Sequence, residues 1–122
     1  MTVEYSWEAT GLYRHFTNKI NGQEVLNDNL NLQGDSRFDD IKYVINDFTD
    51  IADFDFSDID IQKISITDKV ASISNPTIKI AIITTIESLL VWIELYCKSM
   101  EGSLYDCKIF DNSEDAYKWV SG

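Results

Sequence analysis

The sequence predicts an α/β domain of order β-β-α-β-α-β-α-β-α. Its sheet is expected to be mostly parallel, with the first strand as an antiparallel edge and with covering helices. Three observations carry this. Ile78 to Thr84 is a continuous hydrophobic run, with Lys79 near its start, of the kind found in central strands covered on both faces. Ile86, Leu89, Leu90, Ile93, Cys97 and Met100 recur at helical spacing immediately after it. Strand-like and helix-like segments then alternate along most of the chain, which implies right-handed crossovers within one sheet.

Val3 to Trp7 and Leu12 to Thr17 read as a hairpin around Thr10-Gly11, with Leu12, Arg14 and Phe16 on one face and Tyr13 and His15 on the other. Asn21-Gly22 breaks the pattern. Gln23 to Gln33 follows as a short helix stopped by Gly34, and Ile41 to Phe48 as a strand interrupted by Lys42, Asn46 and Asp47. From Ser57, Ile59, Ile66, Val70 and Ile73 repeat at heptad-like spacing, which fits a helix ended by Asn75-Pro76. The β-branched residues of the same stretch also suit a strand. The helix that includes Ile86 to Met100 is expected to cap near Gly102. Tyr105 to Phe110 reads as the last strand, and Asp111 with Glu114 as a capping box for a closing helix through Ala116, Trp119 and Val120.

Composition excludes several functions. The 122 residues include 36 Leu, Ile, Val and Phe, enough for one core without a linker or repeat, so a single domain 1-122 is expected. Ten Lys and Arg against 21 Asp and Glu leave a net charge of −11, which repels phosphates, so no nucleic-acid partner is expected. One histidine and two cysteines are too few for a structural zinc site. The first eight residues carry two acids and no basic region, the longest apolar stretches are far shorter than a membrane span, and Cys97 and Cys107 suit reduced, packed thiols. These features point to a cytoplasmic protein with no membrane span and no cofactor.

The segment from Asn46 to Asp60 holds six aspartates and no basic residue, at the carboxyl end of a strand, where α/β sheets bind ligands. As a calcium loop it fails: Asp58 occupies the glycine position and Ile64 the position of the bidentate glutamate. A looser magnesium site on Asp47 and Asp55 competes with ordinary solvated carboxylates at a helix start, and no metal is expected. Ser57, with Asp60 three residues on, is an N-cap whose hydroxyl takes a backbone N–H. A phosphate there would meet Asp55, Asp58 and Asp60. Trp92, Leu95, Tyr96 and Ser99 form a second side of the helix containing Ile86 to Met100, which therefore either lies deep in the core or faces a partner. Met100 and Trp92 could also line an apolar pocket. His15 has no Ser, Cys or Asp at motif spacing, and neither a Gly-x-Ser-x-Gly turn nor a P-loop is present, so catalysis is not expected.

With its elements in this order the chain resembles the STAS and SpoIIAA-like superfamily, the anti-sigma-factor antagonist fold, and within it the stand-alone bacterial branch. The resemblance rests on Gly11-Leu12-Tyr13-Arg14-His15-Phe16-Thr17 with Asn21-Gly22-Gln23-Glu24, and on Phe110 to Val120 with its Ala116-x-x-Trp119-Val120 ending. It also rests on Asp55, Phe56, Ser57, Asp58 and Ile59 standing where antagonists carry Asp-Ser-Ser-Gly-Leu. The resemblance implies a non-enzymatic module that binds a partner protein and self-associates. It makes Ser57 the counterpart of the phosphorylated serine, although Phe56 replaces the first serine and Asp58 the glycine. The contact surface expected on this basis is Asp55, Phe56 and Asp58 in an acidic loop, with Trp92, Leu95 and Tyr96 on an outer helix face. The acidity suggests a basic partner protein, a homodimer is expected, and the alternative is a carrier of a small apolar, lipid-like ligand, as in the related CRAL-TRIO domains.

Overall fold

The computed structural model describes residues 1–122, and each predicted element is present. In chain order they are β1 (Thr2–Trp7), β2 (Gly11–Asn21), α1 (Gly22–Gln33), a 3₁₀ turn (Ser36–Asp40), β3 (Tyr43–Asp55), α2 (Asp58–Ser74), β4 (Lys79–Ile83), α3 (Glu87–Ser99), β5 (Asp106–Phe110) and α4 (Ser113–Ser121). The strands lie side by side as β1-β2-β3-β4-β5, with β1 antiparallel to β2 and every other pair parallel. The fold class is the one the alternating pattern predicts.

Period-two alternation divides the sheet into two unequal cores. Leu12, Phe16, Val44, Phe48, Ile80 and Ile82 point to one face and join residues of α1, α2 and α3 in the main core. Tyr43, Ile45, Ala81 and Ile83 point to the other, where Ala116 and Val120 of α4 cover them. Leu12, Arg14 and Phe16 share the first face, as their spacing requires.

The largest departure from the sequence-based expectation concerns β3. The acidic segment is not a loop. β3 runs on to Asp55, its second half paired with the second half of β2, from Thr17↔Asp50 to Asn21↔Asp55. The register shifts between His15 and Thr17 and again between Asn18 and Lys19, and Asn18 adopts φ 64°, a left-handed conformation that asparagine tolerates better than most residues. Ile51 stays buried within this extension while Asp50, Asp53 and Asp55 face water, so one apolar anchor suffices to hold an acidic strand. Asp47 and Asp55 are thereby separated by eight residues of extended chain, roughly 26 Å, and do not share an ion.

α2 is a helix, but its apolar stripe faces outward. Ile61, Ile64, Ser65, Asp68, Ala71 and Ser72 are buried, whereas Ile59, Ile66, Val70 and Ile73 are 61, 61, 63 and 76% exposed. α2 is brought against α1 at its start by Gly22, where a Cβ would collide with the Asp60 carboxyl group. Smaller corrections concern the ends. α4 is capped by Asn112, which accepts from the Asp115 N–H, instead of by Asp111 and Glu114. α3 ends at a Met100 cap, with Gly102 supplying a φ of 83° two residues later. The 3₁₀ turn, with Phe38 buried, carries no pattern that separates it from loop.

Candidate functional site

The residues singled out from sequence fall into two groups. Asp55, Phe56, Ser57 and Asp58 form the junction of β3 and α2. Ser57 caps α2: its Oγ accepts the Asp60 N–H at 3.2 Å and the Asp60 carboxylate accepts the Ser57 N–H at 3.0 Å. Asp55, Ser57 and Asp58 are exposed, whereas Phe56 is half-buried and packs on Trp92 of α3 with ring centroids 6.4 Å apart. Phe54 stacks on Phe56 from the other side at 6.1 Å. Trp92 and Phe56 are thus neighbours, a juxtaposition that no local spacing encodes.

α3 splits its second side. Leu95 faces outward at 37% exposure, but Tyr96, expected on the outer face, is buried and points into the molecule. The reason is a hydrogen bond: the Tyr96 hydroxyl donates to Asp68 Oδ2 at 2.6 Å, and a buried phenol of this kind needs a partner.

Asp68 belongs to a polar bridge under the three-helix layer that local patterns in the sequence do not assemble. Arg14, 3% exposed, donates from Nε to Asn46 Oδ1 at 2.8 Å, and from Nη1 to Asp28 Oδ2 at 2.8 Å and Asn29 Oδ1 at 2.9 Å. Asn29 Nδ2 lies 3.2 and 3.3 Å from the two Asp68 oxygens, and Gln33 donates to Asp68 at 2.9 Å. Tyr5 on β1 closes the other end, its hydroxyl donating to Asp28 at 2.6 Å. Burial of a lone ion costs several kcal/mol, and these bonds are what offset that cost for Arg14. Burial still wins at Asp68, raising its carboxyl above the ordinary value against the Tyr96 hydrogen bond, the Arg14 charge and the hydrogen bonds from Gln33 and Asn29. Burial likewise pushes the Tyr5 hydroxyl up to about 12, with Arg14 opposing.

The signal for this bridge is present but local: Arg14 interrupts an apolar face, Asn46 an apolar strand, and Asp68 the inward side of α2. What each polar group meets is a matter of tertiary structure.

A cavity of about 60 Å³ lies against the bridge, between the sheet and the three helices. Phe56, Trp92, Ile64 and Leu89 are among its apolar walls, and Arg14 and Asn46 contribute polar atoms. The hydrogen bonds of these two residues use Arg14 Nε and Nη1 and Asn46 Oδ1, which leaves Arg14 Nη2 and Asn46 Nδ2 without an acceptor, and neither nitrogen is fully enclosed.

The opposite face of the sheet carries a separate set. Tyr13 and Thr49 donate to Asp47, and the Tyr43 and Tyr117 hydroxyls donate to Glu8 at 2.6 and 2.7 Å. Burial opposes ionisation of Asp47, but the hydrogen bonds from Tyr13 and Thr49 outweigh it and lower its pKa. His15 Nε2 sits 2.6 Å from Asp50 Oδ2 on this same side, away from the cavity. Cys97 and Cys107 are free and half-buried where α3 meets β5. No three His, Cys, Asp or Glu side chains gather in one place, and no helix is long and apolar enough to cross a membrane.

The chain has a SpoIIAA-like fold. It superposes with a TM-score of 0.58 on an uncharacterised DUF3478-family protein with a SpoIIAA-like fold from Shewanella loihica PV-4, over 98% of this chain and 92% of the other, at 13% identity. No protein-family model matches the sequence, and no curated protein is similar to it.

Proposed function

We propose that this chain is a non-enzymatic interaction module, and that its outer α1–α2–α3 face pairs with a second copy of the same chain. One observation carries the reading: the exposed stripe of Ile59, Ile66, Val70 and Ile73 along α2. With Ile59, Ile66 and Ile73 as d positions, Val70 and Lys63 are a positions, so the stripe has the seam of a coiled coil with one lysine in it. A lysine at a single a position disfavours alternative registers, and its stem lies along the seam while its ammonium reaches water.

Charge supports a second copy over a basic partner at this face. The molecule carries −11, yet the exposed α2 charges are Asp58, Lys63 and Lys69, which nearly cancel with half-buried Asp60. Two such helices approach without the repulsion that the rest of the surface would impose. Area supports recruitment of the whole layer. α2 alone covers a strip about 26 Å long and 10–12 Å wide, well short of the ~800 Å² per partner in a standard interface. Three helices at 8–10 Å spacing provide roughly 600–700 Å², and Leu30 of α1 with Val91 and Leu95 of α3, exposed at 51, 68 and 37%, extend the apolar surface in both directions. Antiparallel crossing of two α2 helices about a twofold axis also opposes their dipoles favourably.

Asp55, Phe56 and Asp58 lie at the rim of this face, and in this reading Ser57 is a structural cap. Sedimentation velocity over a concentration series tests the proposal. The wild type should dimerise reversibly, and Ile66→Asp with Val70→Asp should be monomeric with an unchanged far-ultraviolet circular dichroism spectrum, since both side chains face water in the single chain. The melting temperature of this variant should lose the concentration dependence of the wild type. A wild type that stays monomeric, or a dimer indifferent to the double substitution, would overturn it.

A further inference from the structure

We propose that the cavity beside Arg14 binds a small uncharged molecule with an apolar body and one carbonyl oxygen, held by Arg14 Nη2 and Asn46 Nδ2. The two donors belong to groups already joined by the 2.8 Å bond from Arg14 Nε to Asn46 Oδ1. Nε and Nη2 lie on one edge of the guanidinium, so Nη2 opens beside the bonded Asn46 amide. Both residues are more than nine-tenths buried and both line the cavity. The remaining polar capacity of the bridge is spent: Nη1 serves Asp28 and Asn29, and Asp68 accepts from Tyr96, Asn29 and Gln33. What the cavity offers an occupant is therefore two residues with a donor to spare, Arg14 and Asn46, and apolar walls, among them Phe56, Trp92, Ile64 and Leu89.

Charge selects the ligand class. Arg14 is already matched by Asp28 at 2.8 Å, and Asp68 stands one asparagine away. A carboxylate would add a second or third negative charge to a single buried positive one, which a low-dielectric site disfavours. A neutral ketone, ester or amide oxygen accepts both hydrogen bonds without that cost. The volume of about 60 Å³ sets the size. At roughly 10–15 Å³ per water-sized group it seats about four to six non-hydrogen atoms, and a longer body would leave past Phe56 and Trp92.

A size-matched set of probes tests this: cyclopentanone, cyclopentane and butyrate, a carboxylate of the same number of non-hydrogen atoms as the ketone, titrated into the ¹⁵N-labelled chain. The indole N–H signal of Trp92, assigned by Trp92→Phe, serves as reporter. Cyclopentanone should shift it saturably, with an affinity at least about tenfold above that of cyclopentane, the loss expected when two hydrogen bonds go unmade, and above that of the carboxylate, whose charge the site does not balance. Asn46→Asp provides the internal control. Its carboxylate accepts from both Nε and Nη2 of Arg14, so it removes both free donors while keeping size and shape, and the ketone response should disappear. Equal responses to cyclopentanone and cyclopentane would overturn the two-donor site, and a stronger response to the carboxylate would overturn the uncharged class. Both comparisons use the wild type and hold even if Asn46→Asp does not fold. Because Phe56 lies both at the cavity and at the rim of the α2 face, the titration is repeated with Ile66→Asp and Val70→Asp present, and a ketone response that persists there is separate from self-association.

Discussion

Tyr96→Phe is the sharpest perturbation of the buried bridge. It deletes one oxygen and with it the 2.6 Å hydrogen bond to Asp68 Oδ2, while the ring keeps its place in the main core. Hydrogen bonds to charged groups contribute about 1.5–3 kcal/mol, so a loss of about 2 kcal/mol is expected at pH values where Asp68 is ionised. For a domain of this size that lowers Tm by roughly 8 °C. The pH dependence follows from Asp68. Burial holds its folded-state pKa above the ordinary 3.8, so as pH rises the unfolded chain gives up the proton first. Its contribution to stability therefore falls from about pH 3.8 up to the folded pKa, and is level above it. Tyr96 bonds the ionised form better, and removing it raises the folded pKa further. The stability difference between wild type and Tyr96→Phe should therefore be small near pH 4 and grow with pH to its full size above the folded value. Urea unfolding at several pH values, with m-values compared, measures this. A difference that is the same at every pH, or that stays below about 0.5 kcal/mol on its high-pH plateau, would refute the account of Asp68 as a buried carboxylate held by its donors.

Ser57→Ala removes the Oγ that caps α2 and should cost about 1 kcal/mol, read from urea melts, while leaving the sedimentation behaviour of the wild type in place. A stability-neutral Ser57→Ala that abolishes assembly would instead make Ser57 part of the contact. Among the thiols, the hydrogen bond from Cys107 lowers the pKa of Cys97, whereas that same bond and burial raise Cys107. Iodoacetamide should modify Cys97 first, and Cys97→Ser should abolish the fast phase that Cys107→Ser leaves.

The order of elements, the antiparallel edge strand β1 and the interior position of β4 were determined by sequence alone, because they follow from local periodicity: period two in Leu12 to Phe16, a hydrophobic run at Ile78 to Thr84 with Lys79 near its start, and helical spacing from Ile86 to Met100. Caps such as Ser57 with Asp60 were legible for the same reason, since both partners lie within one turn. Tertiary structure alone decided which way α2 faces. Its two sides are both rich in isoleucine, and the side that holds Asp68 turned inward because Asn29, Gln33 and Tyr96, contributed by α1 and α3, satisfy that carboxylate there. The same holds for the acidic half of β3, which reads as a loop until the second half of β2 pairs with it. The candidate site was spelled out only as isolated interruptions at Arg14, Asn46 and Asp68. Its geometry depends on bonds between residues 14 to 39 positions apart, and no pattern along the chain specifies which of those meet.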